Sequence, residues 1–134
     1  MQIYKSILNG KYIIEPCAGR GWMTKEMELC LSNDTRFHSS DLEIYPDKLC
    51  NEFIKQSDFN DLDYLNKDAV ITNPPYLNNS SFHLVKKCLE SDVKFIAILQ
   101  RLTFMEGRRR FKELFKDTPP DRDWETTNYS NMED

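Results

Sequence analysis

Four consecutive residues, Asn73-Pro74-Pro75-Tyr76, follow the apolar run Ala69-Val70-Ile71-Thr72 and suit chemistry on an amide-like or exocyclic amino nitrogen. The exocyclic amine of adenine is a poor nucleophile, because its lone pair is delocalised into the ring. Acceptors on its two N–H bonds would localise that pair. The side-chain oxygen of Asn73 and the backbone carbonyl of Pro74 could do this, drawing the nitrogen towards tetrahedral geometry with its lone pair facing a methyl donor. Consecutive prolines fix φ and carry no N–H, so no neighbouring donor competes for that carbonyl. The ring of Tyr76 is a surface on which a base can stack, worth about 1–3 kcal/mol, comparable with the few kcal/mol needed to extrude a base from a duplex. Taken alone, the four residues also make a proline-rich turn after a buried strand.

A second cluster lies upstream. Glu15-Pro16-Cys17-Ala18-Gly19-Arg20-Gly21 follows the apolar Tyr12-Ile13-Ile14 and precedes a helix-forming stretch from Trp22 to Leu31. Strand, glycine turn and helix in this order seat nucleotide-like cofactors in open α/β sheets, since a bare glycine backbone tolerates positive φ and close approach. The third glycine of the dinucleotide fingerprint is missing, so an NAD site is a weak reading. A Gly-x-Gly turn by itself is more often structural than functional; the spacing of 52 residues from Gly21 to Asn73 makes the pair more specific.

With both clusters in view, the chain resembles the S-adenosylmethionine-dependent DNA N6-adenine methyltransferases, particularly the small phage and prophage type, over about residues 11–120. The resemblance makes Glu15, Pro16, Cys17, Ala18, Gly19 and Gly21 the cofactor-binding first motif, and Asn73, Pro74, Pro75 and Tyr76 the catalytic motif. It implies that Asp41, in Ser40-Asp41-Leu42 at the end of the second strand, accepts hydrogen bonds from the cofactor's ribose hydroxyls. Asp58 in Ser57-Asp58-Phe59 would accept from the cofactor's adenine amine, with Phe59 packed beside it. Read individually, Asp41 and Asp58 are equally well loop or cap carboxylates. The stretch Leu99-Gln100-Arg101-Leu102-Thr103-Phe104-Met105-Glu106-Gly107, with Arg110, Leu114-Phe115 and Pro119-Pro120, is similar to the phage subgroup's segment after the fifth strand.

The chain departs from the family at both ends. About ten residues precede the first strand, with no recognisable segment to grip the methionine part of the cofactor, and the polar, acidic residues 121–134 stand where further strands are expected. The expectation is a shortened core, residues 1–120, with an acidic tail, residues 121–134, and no target-recognition domain. Such a chain would be a weak catalyst alone, and a protein partner or self-association could complete its sheet.

Elements must bring the two clusters together. Strands are expected near 11–15, 35–40, 54–57, 69–72 and 93–100, and helices near 22–32, 45–52, 80–90 and 104–116. This alternation predicts an α/β, Rossmann-like, doubly wound and mostly parallel sheet of about five strands. In such a sheet ligands gather at the carboxyl ends of the strands, where both clusters would lie.

At 134 residues and 40% hydrophobic, the chain can bury a core without staples. Cys17, Cys30, Cys50 and Cys88 lack Cys-x-x-Cys spacing and read as reduced thiols, which suggests the cytoplasm. No apolar run is long enough to span a membrane, and His38 and His83 do not make a metal site. The net charge of −4 argues against indiscriminate DNA binding, yet residues 101–116 carry Arg101, Arg108, Arg109, Arg110, Lys112 and Lys116 against Glu106 and Glu113. They could contact phosphates or be a solvated helix face. Residues 117–134, six acids against Arg122, could mask them. Methyl transfer to adenine in DNA is the leading expectation. A non-catalytic cofactor- or partner-binding phage protein on a cut-down fold, and a methyltransferase acting on protein glutamine or RNA, are the alternatives.

Overall fold

The computed structural model describes residues 5–64, 66–75, 80–99 and 116–119. Its contacts divide the chain into Met1–Leu102, which holds every element below, and Thr103–Asp134, of which residues 116–119 form an exposed turn.

Five parallel strands build the first unit: β1 Tyr12–Glu15, β2 Arg36–Asp41, β3 Ile54–Gln56, β4 Ala69–Thr72 and β5 Phe95–Ile98, in the order β3-β2-β1-β4-β5. The chain winds outward from β1 to β3, then returns to β4 on the other side of β1. That reversal opens a crevice between the carboxyl ends of β1 and β4, where doubly wound sheets take their ligands. The α/β, Rossmann-like, parallel architecture expected from the alternation of elements is therefore present. β4 is buried at all four positions, as a strand covered on both faces must be.

Helices α1 Lys5–Leu8, α2 Trp22–Cys30 and α3 Ser80–Glu90 accompany the sheet. In α3 the buried residues Ser81, Leu84, Val85 and Cys88 recur at helical spacing. Leu84 and Cys88 join Ile14, Val70, Leu62, Tyr64 and Val93 in one core cluster. A second cluster unites Leu8 of α1 and Met27 of α2 with Leu31, Ile13, Ala69 and Ile71. Successive residues of β1, Ile13 and Ile14, thus fall in different clusters, as a two-residue side-chain period requires. Among the described residues no helix is long and apolar enough to cross a membrane.

Two differences from the expected elements stand out. The four-residue α1 was not anticipated, being too short to show a period. The helix expected over 45–52 is absent: those residues form bends and irregular backbone. Pro46 near its start donates no N–H, and three of the other backbone N–H groups find partners elsewhere. Leu49 N–H donates to Arg20 C=O (2.8 Å), and Asn51 and Glu52 N–H donate to the Glu28 carboxylate (3.0 and 2.9 Å). The helix expected over 104–116 lies outside the described residues, except Lys116 in the exposed turn.

Candidate functional site at the strand ends

Glu15 is the last residue of β1 and is only 2% exposed. One carboxyl oxygen, Oε1, accepts the Thr72 hydroxyl at 2.6 Å and the Cys17 N–H at 3.1 Å. The other, Oε2, is buried with no partner among the described residues. Burial pushes the Glu15 pKa up to about 8, aided by the negative charge of Asp41 and opposed by the bonds from Thr72 and Cys17. Neither protonation state satisfies Oε2. It is a bare acceptor when ionised and an unpaired hydroxyl when neutral, and a buried group in that condition costs about 1–3 kcal/mol.

The partner Thr72 closes β4 and is fully buried. It precedes Asn73, which is exposed, and Pro74, which is buried. The carbonyl of Pro75 accepts the Ser81 hydroxyl at 3.1 Å in the first turn of α3. The two clusters read from the sequence are therefore linked across the crevice by the hydrogen bond from Thr72, the residue before Asn73, to Glu15.

The turn after β1 divides its two glycines between different tasks. Gly19 has φ +57 and faces open space, with nothing within 4 Å of where a Cβ would stand. Its N–H donates to Asp41 Oδ2 at 2.8 Å. Gly21 has φ +90, and a Cβ there would meet Cys50 Sγ at 2.4 Å and Ile54 Cδ1 at 3.3 Å. Bare backbone at Gly21 thus serves close packing against the β2–β3 connection, and Gly19 alone presents an open approach. Pro16 is buried, while Cys17 and Ala18 are half-buried. The Ala18 N–H is used by Ser40 C=O at 2.8 Å. Burial and the charge of Glu15 push the Cys17 thiol up to about 12.

Asp41 ends β2 and ties the turn to the neighbouring strand. Its second oxygen accepts the Glu43 N–H at 3.0 Å, so both oxygens already hold backbone amides and each keeps a lone pair. Asp58 caps the short 3-10 turn Phe59–Asp61 by accepting the Asn60 N–H at 2.8 Å. It is drawn to the same edge by Ser57 N–H, which donates to Asp41 C=O at 2.9 Å. Phe59 is half-buried against the α3-side core.

Several features of this edge went unnoticed in the sequence. Ile44, Tyr45, Lys48, Phe53, Ile54 and Gly19 line a cleft of about 240 Å³ beside Asp41. Phe53 is 75% exposed there, a large apolar side chain left in water. Ser40, fully buried, carries a hydroxyl with no hydrogen-bond partner among the described residues. Thr72 could have been found: it is the polar residue ending an otherwise apolar strand. Among the described residues no group of three or more His, Cys, Asp or Glu side chains could hold a metal ion. Tyr76, Arg101, Arg108, Arg109, Arg110 and Lys112 lie outside the described residues. Comparison with protein-family models, with curated proteins and with solved structures finds no match to this chain.

Proposed function

We propose that the chain binds S-adenosylmethionine at the carboxyl edge of its sheet and transfers the methyl group to the exocyclic amine of adenine in DNA. The observation that carries the reading is the Glu15–Thr72 hydrogen bond across the β1/β4 crevice, with an orphaned buried oxygen on the Glu15 side and Asn73 on the other. The residues fit the cofactor. Glu15 Oε2 is an acceptor awaiting a cationic amine, Gly19 leaves room for close approach, and Asp41 keeps lone pairs for hydroxyl donors. The apolar cleft of Ile44, Tyr45 and Phe53 has walls suited to a flat ring.

When bound, the cofactor would supply a methyl group on a sulfonium sulfur, the carbon–sulfur bond breaking as the carbon–nitrogen bond forms and leaving a neutral thioether. Asn73 and the Pro74 carbonyl hold the two N–H bonds of the acceptor amine and localise its lone pair. The methylated nitrogen would then lose one proton to solvent. Tyr76 stacks on the base, and Arg101, Arg108, Arg109, Arg110 and Lys112 contact phosphates.

Calorimetry with S-adenosylmethionine, followed by methyl incorporation into adenine-containing DNA, tests the reading. Binding followed by adenine methylation is expected, and Asn73→Ala should abolish turnover while leaving cofactor affinity within a few fold. Absence of binding at millimolar cofactor would refute it. Binding with methyl transfer only to RNA or to protein glutamine would move the acceptor, and binding without any transfer would make the chain a cofactor-binding module.

A further inference from the structure

We propose that Thr72 is a positioning residue for the cofactor: its hydroxyl clamps one oxygen of Glu15 and leaves the other as the acceptor for the ligand's cationic amine. The strand that carries the acceptor-side residue Asn73 thereby also sets the donor side of the site. This inference rests on the functional reading above and assigns a role to a residue outside both sequence motifs.

The geometry leaves little choice of arrangement. Among the described residues three groups face the Glu15 carboxyl: Cys17 from the turn, Asp41 from the end of β2 and Thr72 from the end of β4. The Cys17 thiol stays neutral throughout the physiological range, since its pKa is about 12, and only its backbone N–H reaches Glu15. Asp41 repels the ionised carboxyl. Among the described residues Thr72 supplies the one side-chain hydrogen bond, and it acts on the same oxygen as Cys17. Both local donors therefore fix Oε1, and the carboxyl plane follows. Oε2 is left buried with no partner among the described residues, because both donors are spent on its neighbour. A strand-end valine would fill nearly the same volume but leave the carboxyl held by the Cys17 N–H alone.

The arrangement also couples ligand arrival to a proton. With its pKa raised to about 8, Glu15 is mostly neutral at pH 7. An ammonium group docking on Oε2 stabilises the carboxylate, so the Glu15 proton passes to the buffer as the ion pair forms. On the acid side of pH 7, cofactor affinity should rise about tenfold per pH unit, because each unit of pH lowers the cost of removing one proton.

Carbon-13 NMR of protein labelled at the glutamate carboxyl carbon tests the clamp without any ligand. One resonance, identified by its loss in Glu15→Gln, should titrate near pH 8, far above the ordinary glutamate value of about 4.3. In Thr72→Val the midpoint should move up by about one unit, the size expected from losing a hydrogen bond to a charged group. Thr72→Ser should restore it. If Thr72→Val does not fold, Thr72→Ala provides the same hydroxyl deletion. Calorimetry at pH 6–7 in buffers of different ionisation heat should then show about one proton released per S-adenosylmethionine in the wild type and none in Glu15→Gln. Thr72→Val should bind about tenfold more weakly. A Glu15 titration among the ordinary glutamates, or one unmoved in a folded hydroxyl-deletion variant, overturns the role of Thr72 even where the cofactor binds. The expected titration with no cofactor binding overturns the functional reading, and the ligand-facing part of this inference with it.

Discussion

Burying Glu15 makes its protonation part of folding. The carboxyl is neutral in the folded chain up to about pH 8, whereas in the unfolded chain it ionises near the ordinary value of about 4.3. Between those values the folded state binds more protons than the unfolded state, so stability falls as pH rises, by up to about 1.4 kcal/mol per pH unit. The stabilisation is complete below the unfolded pKa and gone above about pH 8. Glu15→Gln cannot ionise and should escape this loss. Relative to the wild type it should gain roughly 3 kcal/mol on going from pH 5 to pH 8. Urea unfolding of both proteins at the two pH values measures it, and parallel pH profiles would show that Glu15 is ionised in the folded chain. None of this was readable from the sequence, where Glu15 is one acid before a proline. Its perturbation arises from burial among β1, β2 and β4, which only the assembled sheet creates. Asp41 is a related case. Its place at the end of β2 was legible from Ser40-Asp41-Leu42, but not its grip on the Gly19 and Glu43 amides.

The glycine turn sorts its residues by what stands in front of them. Alanine at either glycine suffers the left-handed backbone, at about 1–2 kcal/mol. At Gly21 it must also displace Cys50 and Ile54, and overpacking of that kind adds about 1–3 kcal/mol. Gly21→Ala should therefore lower stability clearly more than Gly19→Ala, whereas Gly19→Ala, which projects into open space, should act mainly on ligand affinity. Cys50→Ala in the Gly21→Ala background should recover part of the loss. A double-mutant cycle on unfolding free energies would show the coupling, and additive effects would mean that the turn and the connection relax independently. Strands were legible because their apolar runs are bounded by polar or glycine-containing segments, and all five formed within a few residues of expectation. The segment 45–52 was misread because its composition tolerates a helix. Its fate was decided by tertiary partners, the Arg20 carbonyl and the Glu28 carboxylate, that no local pattern reveals.

For the whole molecule, the uneven charge frames the last prediction. Six basic side chains over residues 101–116 are followed by six acids over residues 117–134. If the functional reading holds, the basic stretch gives the chain a weak, salt-sensitive and sequence-indifferent hold on DNA. Removing residues 121–134 should strengthen that hold at low salt, with the difference fading as salt rises and screening shortens. Fluorescence anisotropy with a labelled duplex across a salt series checks it. Unchanged or weaker binding after truncation would reject a masking role for the acidic tail.

The order β3-β2-β1-β4-β5 also has a consequence during synthesis. β1 lies at the centre of the sheet, but its partner on one side, beginning with Ala69 opposite Ile13, is 56 residues further along the chain. At roughly 5–20 residues per second, a ribosome needs about 3–11 seconds to add them. Throughout that interval the nascent Tyr12-Ile13-Ile14 edge has unpaired amides and carbonyls beside apolar side chains. The edge that later forms one wall of the crevice is thus, for those seconds, a natural target for holding chaperones.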